Sequence, residues 1–93
     1  MNKNTISLKD YGAVLTGREF GAEVWDQIST DLKTPSELDF SGVETMGSSF
    51  GDEVIPPLAK AQGNKVSVRN VNEDMKSTIE DIANDAGIKV IFL

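Results

Sequence analysis

The stretch ELDFSGVETMGSSFGDE occupies residues 37–53 and changes its pattern halfway along. Residues 37–40 alternate polar and apolar side chains, which is typical of a short, half-buried strand. Residues 41–47 contain two glycines and predict a loop. A helix is predicted to begin at Ser48 or Ser49, because serine is a preferred helix cap and the carboxylates that follow suit the positive end of the helix dipole. The stretch therefore predicts a strand, a loop and a helix in succession.

The sequence before this stretch predicts another strand and another helix. Residues 5–9 alternate as a strand does, and residues 13–15 are compatible with a brief extended piece that three residues cannot decide. Thr16 followed by Glu19 has the spacing of a capping box. Apolar residues then recur every four positions, which predicts an amphipathic helix over about 18–32.

The helix that begins at Ser48 or Ser49 contains two prolines. Pro56 and Pro57 lack the amide hydrogen that a helix interior uses, so a kink or a restart is expected there. Gly63 is expected to end this element in a left-handed conformation.

The remaining residues repeat the alternation of strand and helix. A strand is predicted at 65–71, a helix capped by Asn72 and closed by Gly87 follows, and the nearly all-apolar residues 88–93 predict a buried strand. The order β-α-β-α-β-α-β favours crossover connections and a small, mostly parallel sheet of about four strands. We expect an α/β fold in which residues 1–93 form a single domain.

The composition limits what this domain does. The chain has 93 residues, of which 39% are hydrophobic, and this is enough for one core. Its net charge of −6 disfavours nucleic acid and anionic membranes as partners. Cysteine and histidine are absent, which removes thiolate nucleophiles, the commonest metal ligand and the usual general base. Without a signal-peptide pattern or an apolar run of membrane-spanning length, we expect a cytoplasmic protein.

Three segments are predicted to meet where functional groups gather in an open α/β sheet, at the carboxyl ends of the strands. They are residues 41–49, 69–72 and, if the first turn lies on the same edge, 16–18.

The densest of these clusters surrounds Ser48 and Ser49. Glycines flank the two hydroxyls at a helix start, so the cluster suits a phosphoacceptor or an anion-binding turn, although capping serines are the commoner use. Arg69 is a weaker candidate, which could pair with a phosphate on either serine across the strand ends, although an exposed arginine at a strand end is the ordinary case. Asp52 and its neighbour Glu53 are expected to point to different sides of the helix and to act as dipole partners.

The residues of this region resemble a known family. The segments that carry the likeness are Thr16-Gly17-Arg18-Glu19-Phe20-Gly21, Leu38-Asp39-Phe40-Ser41-Gly42-Val43 and Met46-Gly47-Ser48-Ser49-Phe50-Gly51-Asp52-Glu53. They are similar to the STAS-like family of bacterial domains, over about residues 15–87. That family is in turn similar to the anti-sigma factor antagonists, in which a strand with a Leu-Asp pattern leads to a serine at the start of the next helix.

The resemblance implies roles for individual residues. In the anti-sigma factor antagonists, a partner kinase of the histidine-kinase-like ATPase fold phosphorylates that serine and is thereby released. Ser48 matches the acceptor, Ser49 its neighbour and Asp39 the strand aspartate. The chain departs from the pattern at Gly47, where an aspartate is usual, and at Phe50, where a glycine is common.

We therefore expect a regulatory protein-interaction module that docks a kinase-like ATPase, or a serine kinase, through residues 47–52 and the face of the second helix. The residues expected to take part, besides the two serines, are Asp39, Gly47, Phe50, Gly51, Asp52 and Arg69. The alternative is a domain that senses a small ligand or nucleotide at the same helix start. An enzyme is the least expected class, because the sequence offers no nucleophile with a base, no metal cluster and no cofactor motif. The oligomeric state stays open.

Overall fold

Two parallel sheets are present in the computed structural model, which describes residues 4–93. The expected domain of 1–93 thus includes residues 1–3, which lie outside the described part. The main sheet has the order β1-β3-β5-β6, formed by Asn4–Ser7, Ser36–Asp39, Lys65–Arg69 and Lys89–Phe92. The second sheet pairs β2 (Val14–Leu15) with β4 (Thr45–Met46). The expected mostly parallel sheet of four strands is confirmed.

Three helices connect the strands of the main sheet: α1 (Arg18–Thr30), α2 (Ser48–Lys60) and α3 (Glu73–Ala86). Each connection moves the chain one strand further in the same direction, so right-handed crossovers place all three helices on one face. In the described part of the chain, no α-helix lies on the opposite face of the sheet. Among residues 4–93, no helix is both long and apolar enough to cross a lipid bilayer.

The core lies between the helices and the covered face of the sheet. Phe50 is at the centre of this layer, with its ring centroid 5.4 Å from that of Phe20 on α1. The largest wholly buried side chains are Phe40, Phe50, Leu8, Leu15, Leu38, Ile55, Leu58, Met75, Ile79, Ile82, Val24 and Val54. Because every helix and several strands contribute to one cluster, the fold has a single core.

At Gly21 of α1, the backbones of α1 and α2 approach each other closely. A Cβ atom at this position would lie 2.8 Å from the carbonyl oxygen of Phe50 and 3.1 Å from its Cα. Backbone atoms of α2 therefore occupy the space where any other residue would place its side chain. Glycine at 21 sets how closely α1 and α2 approach.

The pairing of β2 with β4 differs from the prediction for residues 41–47. This segment was expected to be entirely a loop, but Thr45 and Met46 pair with Val14 and Leu15. The amide of Gly47 donates to the carbonyl oxygen of Leu15 at 2.8 Å. The brief extended piece considered at 13–15 is thus a real strand, and it ties the start of α1 to the start of α2.

The prolines do not divide α2. The helix is continuous through Pro56 and Pro57, and the expected restart is absent. The two missing amides leave the carbonyls of Asp52 and Glu53 without intrahelical donors. Gly63 is left-handed as predicted, with φ of +79°, but it lies beyond the C-cap at Ala61.

The helix ends agree with the prediction at α3 and differ at α1. Asn72 caps α3, since its Oδ1 accepts from the amide of Met75 at 2.9 Å, and Gly87 ends it with φ of +68°. In contrast, the capping box expected from Thr16 does not form, because Gly17 is the N-cap and no side chain caps the helix. The chain turns into the helix at a glycine with positive φ, which removes the hydroxyl from the cap position.

Two strand predictions also need correction. The strand expected at 5–9 ends at Ser7, and a short 3-10 helix, Leu8–Tyr11, takes Leu8 into the core. The strand expected to be buried at 88–93 is an edge strand, and its residues alternate between exposed and half-buried. Its apolar composition therefore reflects burial on only one face.

Replacing Gly21 by alanine tests the close approach of α1 and α2. Alanine usually stabilises a helix by about 0.5–1 kcal/mol relative to glycine. Here we expect Gly21→Ala to lower the free energy of unfolding by roughly 1–3 kcal/mol, because its Cβ meets backbone atoms. Urea unfolding followed by circular dichroism measures the change.

The matched control is Gly51→Ala, whose Cβ meets the tip of the Ile82 side chain. Because a side-chain tip moves more easily than backbone, this variant should lose less stability than Gly21→Ala. An increase in stability for Gly21→Ala would contradict the packing described for α1 and α2.

Candidate functional site

The three predicted segments do meet at one end of the fold. Asn70 Nδ2 donates to Asp39 Oδ1 at 2.8 Å, which joins the ends of β5 and β3. Asn72 Nδ2 reaches the carbonyl oxygen of Glu44 at 3.4 Å. Together with the hydrogen bond from Gly47 to Leu15, these contacts bring segments 16–18 and 69–72 against segment 41–49, as predicted.

The start of α2 presents two serines to solvent. Gly47 is the N-cap, so Ser48 and Ser49 are the first two residues of the helix itself, and both are exposed. Neither hydroxyl caps the helix. The prediction that serine occupies the cap position is therefore wrong, and the hydroxyls are not committed to that role.

Phe50 and Gly51, which were expected to help bind a partner, lie inside the protein. Phe50 has 0% of its surface exposed, and a Cβ on Gly51 would come within 2.5 Å of Ile82 Cδ1. Both residues hold α2 in the core, so a partner cannot contact the Phe50 side chain while the domain is folded. The exposed candidates on this helix are Ser48, Ser49 and Asp52.

Arg18, at the start of α1, binds the two carboxylates of α2. Its Nη1 lies 2.8 Å from Glu53 Oε2, and its Nη2 lies 4.0 Å from Asp52 Oδ2. Asp52 and Glu53 thus share one guanidinium instead of acting only on the helix dipole. No local sequence pattern pairs these residues, because the contact depends on how α1 packs against α2. At exposed positions such pairs contribute at most about 1 kcal/mol, so Arg18 remains available to another anion.

Asp39 lies at the carboxyl end of β3 and binds its neighbours through one oxygen. Besides Asn70, the amide of Ser41 donates to Asp39 Oδ1 at 2.9 Å. The Asn70 hydrogen bond, the Ser41 amide and the nearby Arg69 charge together hold the pKa of Asp39 below its ordinary value, although burial acts slightly in the other direction. Asp39 therefore holds the ends of β3 and β5 together in its carboxylate form.

Arg69 does not lie where the prediction placed it. Its side chain is on the open face of the sheet, where Nε lies 3.0 Å from Glu37 Oε1. Thr5 Oγ1 donates to the same oxygen at 3.1 Å, while Glu37 Oε2 is buried without a hydrogen-bond partner. Since α2 packs on the opposite face, Arg69 is not positioned to pair with a phosphate on Ser48 or Ser49. Arg18 is the cation beside the first turns of α2.

An exposed apolar residue lies on the strand that pairs with the segment before α2. Val14 of β2 is 55% exposed and pairs with Thr45, three residues before Ser48. Because three residues could not decide a strand at 13–15, the sequence pattern did not single out Val14. We name the exposed set Val14, Thr45, Ser48, Ser49 and Asp52 the α2-start surface.

The surface clefts lie away from this set. One of about 510 Å³ is beside the end of α1, one of about 580 Å³ is between α3 and β6, and one of about 250 Å³ is near Gln62. None of these three includes the first turn of α2. Within residues 4–93, no three carboxylates are grouped as metal ligands would be.

A known family matches the part of the chain that contains most of the candidate site. Residues 21–76 fit the family described as a STAS-like domain of unknown function (DUF4325). The matched segment contains β3, α2 and β5, and with them every predicted site residue from Asp39 to Arg69. No curated protein and no solved structure matches the chain significantly. The predicted STAS-like resemblance is confirmed.

The pKa of Asp39 tests the contacts at the strand ends. We expect carboxyl NMR titration to give a value below the ordinary aspartate pKa of about 3.9. Asn70→Gly should raise it most, because the Asn70 side chain is the largest cause of the shift and glycine accepts the positive φ of this position. Arg69→Gln should raise it less.

The lowered pKa also has a consequence for stability. A pKa that is lower in the folded state means that the carboxylate form stabilises the fold at pH above the unfolded value. This contribution disappears as the pH falls through the folded pKa. Equal pKa values in wild type and Asn70→Gly would contradict the assigned hydrogen bond.

Proposed function

The chain belongs to the family of STAS-like domains of unknown function (DUF4325), and on this premise we propose that it is a regulatory protein-interaction module and not an enzyme. The α2-start surface is its docking site. The observation that carries the proposal is the exposure of Ser48 and Ser49 on the first turn of a helix that neither of them caps.

The framework behind the serines supports a docking role. Phe50 is buried directly beneath them, and the hydrogen bond from Gly47 to Leu15 fixes the chain just before the helix. A rigidly held surface loses little conformational freedom when a partner binds. Exposed Val14, on the strand paired with the segment before α2, supplies an apolar contact at the same end of the fold as the polar serines, and interfaces commonly combine the two.

The proposed partner follows from the resemblance to anti-sigma factor antagonists. It is a protein with the histidine-kinase-like ATPase fold, or a serine kinase, that phosphorylates Ser48 and is released as a result. Ser49 is the other candidate acceptor, and the test must distinguish it from Ser48.

Charge provides the mechanism of release. A phosphate on Ser48 adds about −1.5 to −2 charge to the surface. Ser48 is one helical turn from Asp52, so the phosphate repels this carboxylate while Arg18 and the helix dipole attract it. A surface that was neutral at the serines becomes strongly anionic, and a partner fitted to the unmodified hydroxyl loses its contact.

The Ser48→Asp variant mimics this change in charge. We expect it to reduce partner recovery from the native cells by about tenfold or more, since a charge enters a desolvated interface. Ser48→Ala should retain the partner. Quantitative mass spectrometry of the proteins that co-purify with each variant gives the measurement.

Ser77→Asp is the matched control, because it makes the same substitution at an exposed serine on α3. Ser49→Asp separates the two acceptor candidates. Intact mass and fragmentation across residues 47–52 of the protein from its native cells should locate a phosphate. If Ser48→Asp binds as wild type does, the switch is wrong. Thermal stabilisation by a nucleotide, without any protein partner, would favour the ligand-sensing alternative.

A further inference from the structure

The outer edge of β6 has backbone groups that no strand of residues 4–93 uses. The amide of Lys89 donates to Asn64 at 2.9 Å and that of Leu93 donates to Val68 at 2.8 Å. Odd-numbered residues of this strand therefore direct their backbone groups toward β5. The N–H and C=O groups of Val90 and Phe92 point away from the sheet, where another strand can bind them.

A groove runs between this edge and α3. It encloses about 580 Å³, and its strand side is formed by the half-buried side chains of Val90 and Phe92. Its helix side includes Glu80, Asp81 and Asn84, all of them exposed. A strand added to β6 would place alternate side chains in this groove.

We propose that the β6 edge binds an extended, basic segment of a partner protein, which extends the sheet as a fifth strand. Backbone hydrogen bonds to Val90 and Phe92 hold the segment, and lysine or arginine side chains at alternate positions contact Glu80 and Asp81. This mode of recognition takes its affinity from the main chain and its specificity from the alternate side chains.

The charge of α3 selects a basic partner. The helix carries five carboxylates and a single lysine. That lysine, Lys76, is placed 5.4 Å from the centre of the Phe92 ring, at one end of the strand. Lys89 also lines the groove, but the carboxylates of Glu80 and Asp81 form no ion pair with it or with any other cation of residues 4–93, so both can pair with an incoming cation.

The same charges argue against a second copy of this chain as the occupant. Antiparallel pairing of two β6 edges about a two-fold axis would bring two α3 helices together on one face. Pairing of β6 with β1 of another copy would place α3 beside α1, which carries three carboxylates and one arginine. Both arrangements set acidic helices against each other.

Two peptides test the proposal: an acetylated, amidated octapeptide that alternates lysine and valine, and the same peptide with glutamate in place of lysine. The lysine peptide should slow amide hydrogen exchange at Val90 and Phe92 and bind at least about tenfold more tightly than the glutamate peptide. Two N-methylated versions probe the backbone without altering the protein. Methylation of the alternate amides that face β6 should abolish binding, and methylation of the other set should not.

Protein variants locate the charge. Glu80→Lys should weaken binding of the lysine peptide by about fivefold or more, whereas Glu23→Lys, the same exchange on exposed α1, should change it less than about twofold. Equal binding of both peptides, equal effects of both N-methylated sets, or unchanged exchange at Val90 would overturn the proposal. So would a concentration-dependent dimer that the lysine peptide does not compete with. The α2-start surface contains none of these residues. A failure of the β6-edge proposal can therefore be distinguished from a failure of the proposed docking at the α2-start surface.

Discussion

The absence of a side chain at Gly21 is the constraint on which the arrangement of the helices depends. It lets the backbone of α1 approach that of α2 at Phe50, and this contact sets the distance between the two helices. With α2 in this position, Phe50 fills the core and the preceding serines are left at the surface. The same approach brings Arg18 to the carboxylates of α2. One small residue thus determines both the packing and the exposed chemistry at the end of the fold.

Much of the fold follows from local patterns, because strands and helices have different periods. The spacing of apolar residues predicted α1 and α3, and serines followed by carboxylates predicted the start of α2. Asn72 and Gly87 end α3 where capping chemistry places them. The pairing of β2 with β4 was not predictable in this way. Strands of two residues have no period, and their pairing joins positions about thirty residues apart. The exposure of β6 was not predictable either, because an apolar run does not show whether a strand has neighbours on both sides.

In the candidate site too, residues marked by a local pattern were predictable, and residues placed by packing were not. Ser48 and Ser49 were singled out from their place at a helix start, and Asp39 from the resemblance to the anti-sigma factor antagonists. The inward direction of Phe50 was not predictable from the sequence. The glycines on both sides of it interrupt the pattern of apolar residues at this helix start. The sequence did not show which face of the sheet Arg69 lies on, because one residue of register changes the side on which a side chain lies. Arg18 gained its role only through packing between helices.

The prolines of α2 divide its hydrogen-bond ladder into two parts, even though the helix axis runs through both. The carbonyls of Asp52 and Glu53 receive no bond from Pro56 and Pro57, so the turns that carry the serines are joined to the later turns chiefly by buried side chains. The position of the serine-bearing turns is therefore set by the core that encloses Phe50 and Val54, and it is held as long as that core stays packed.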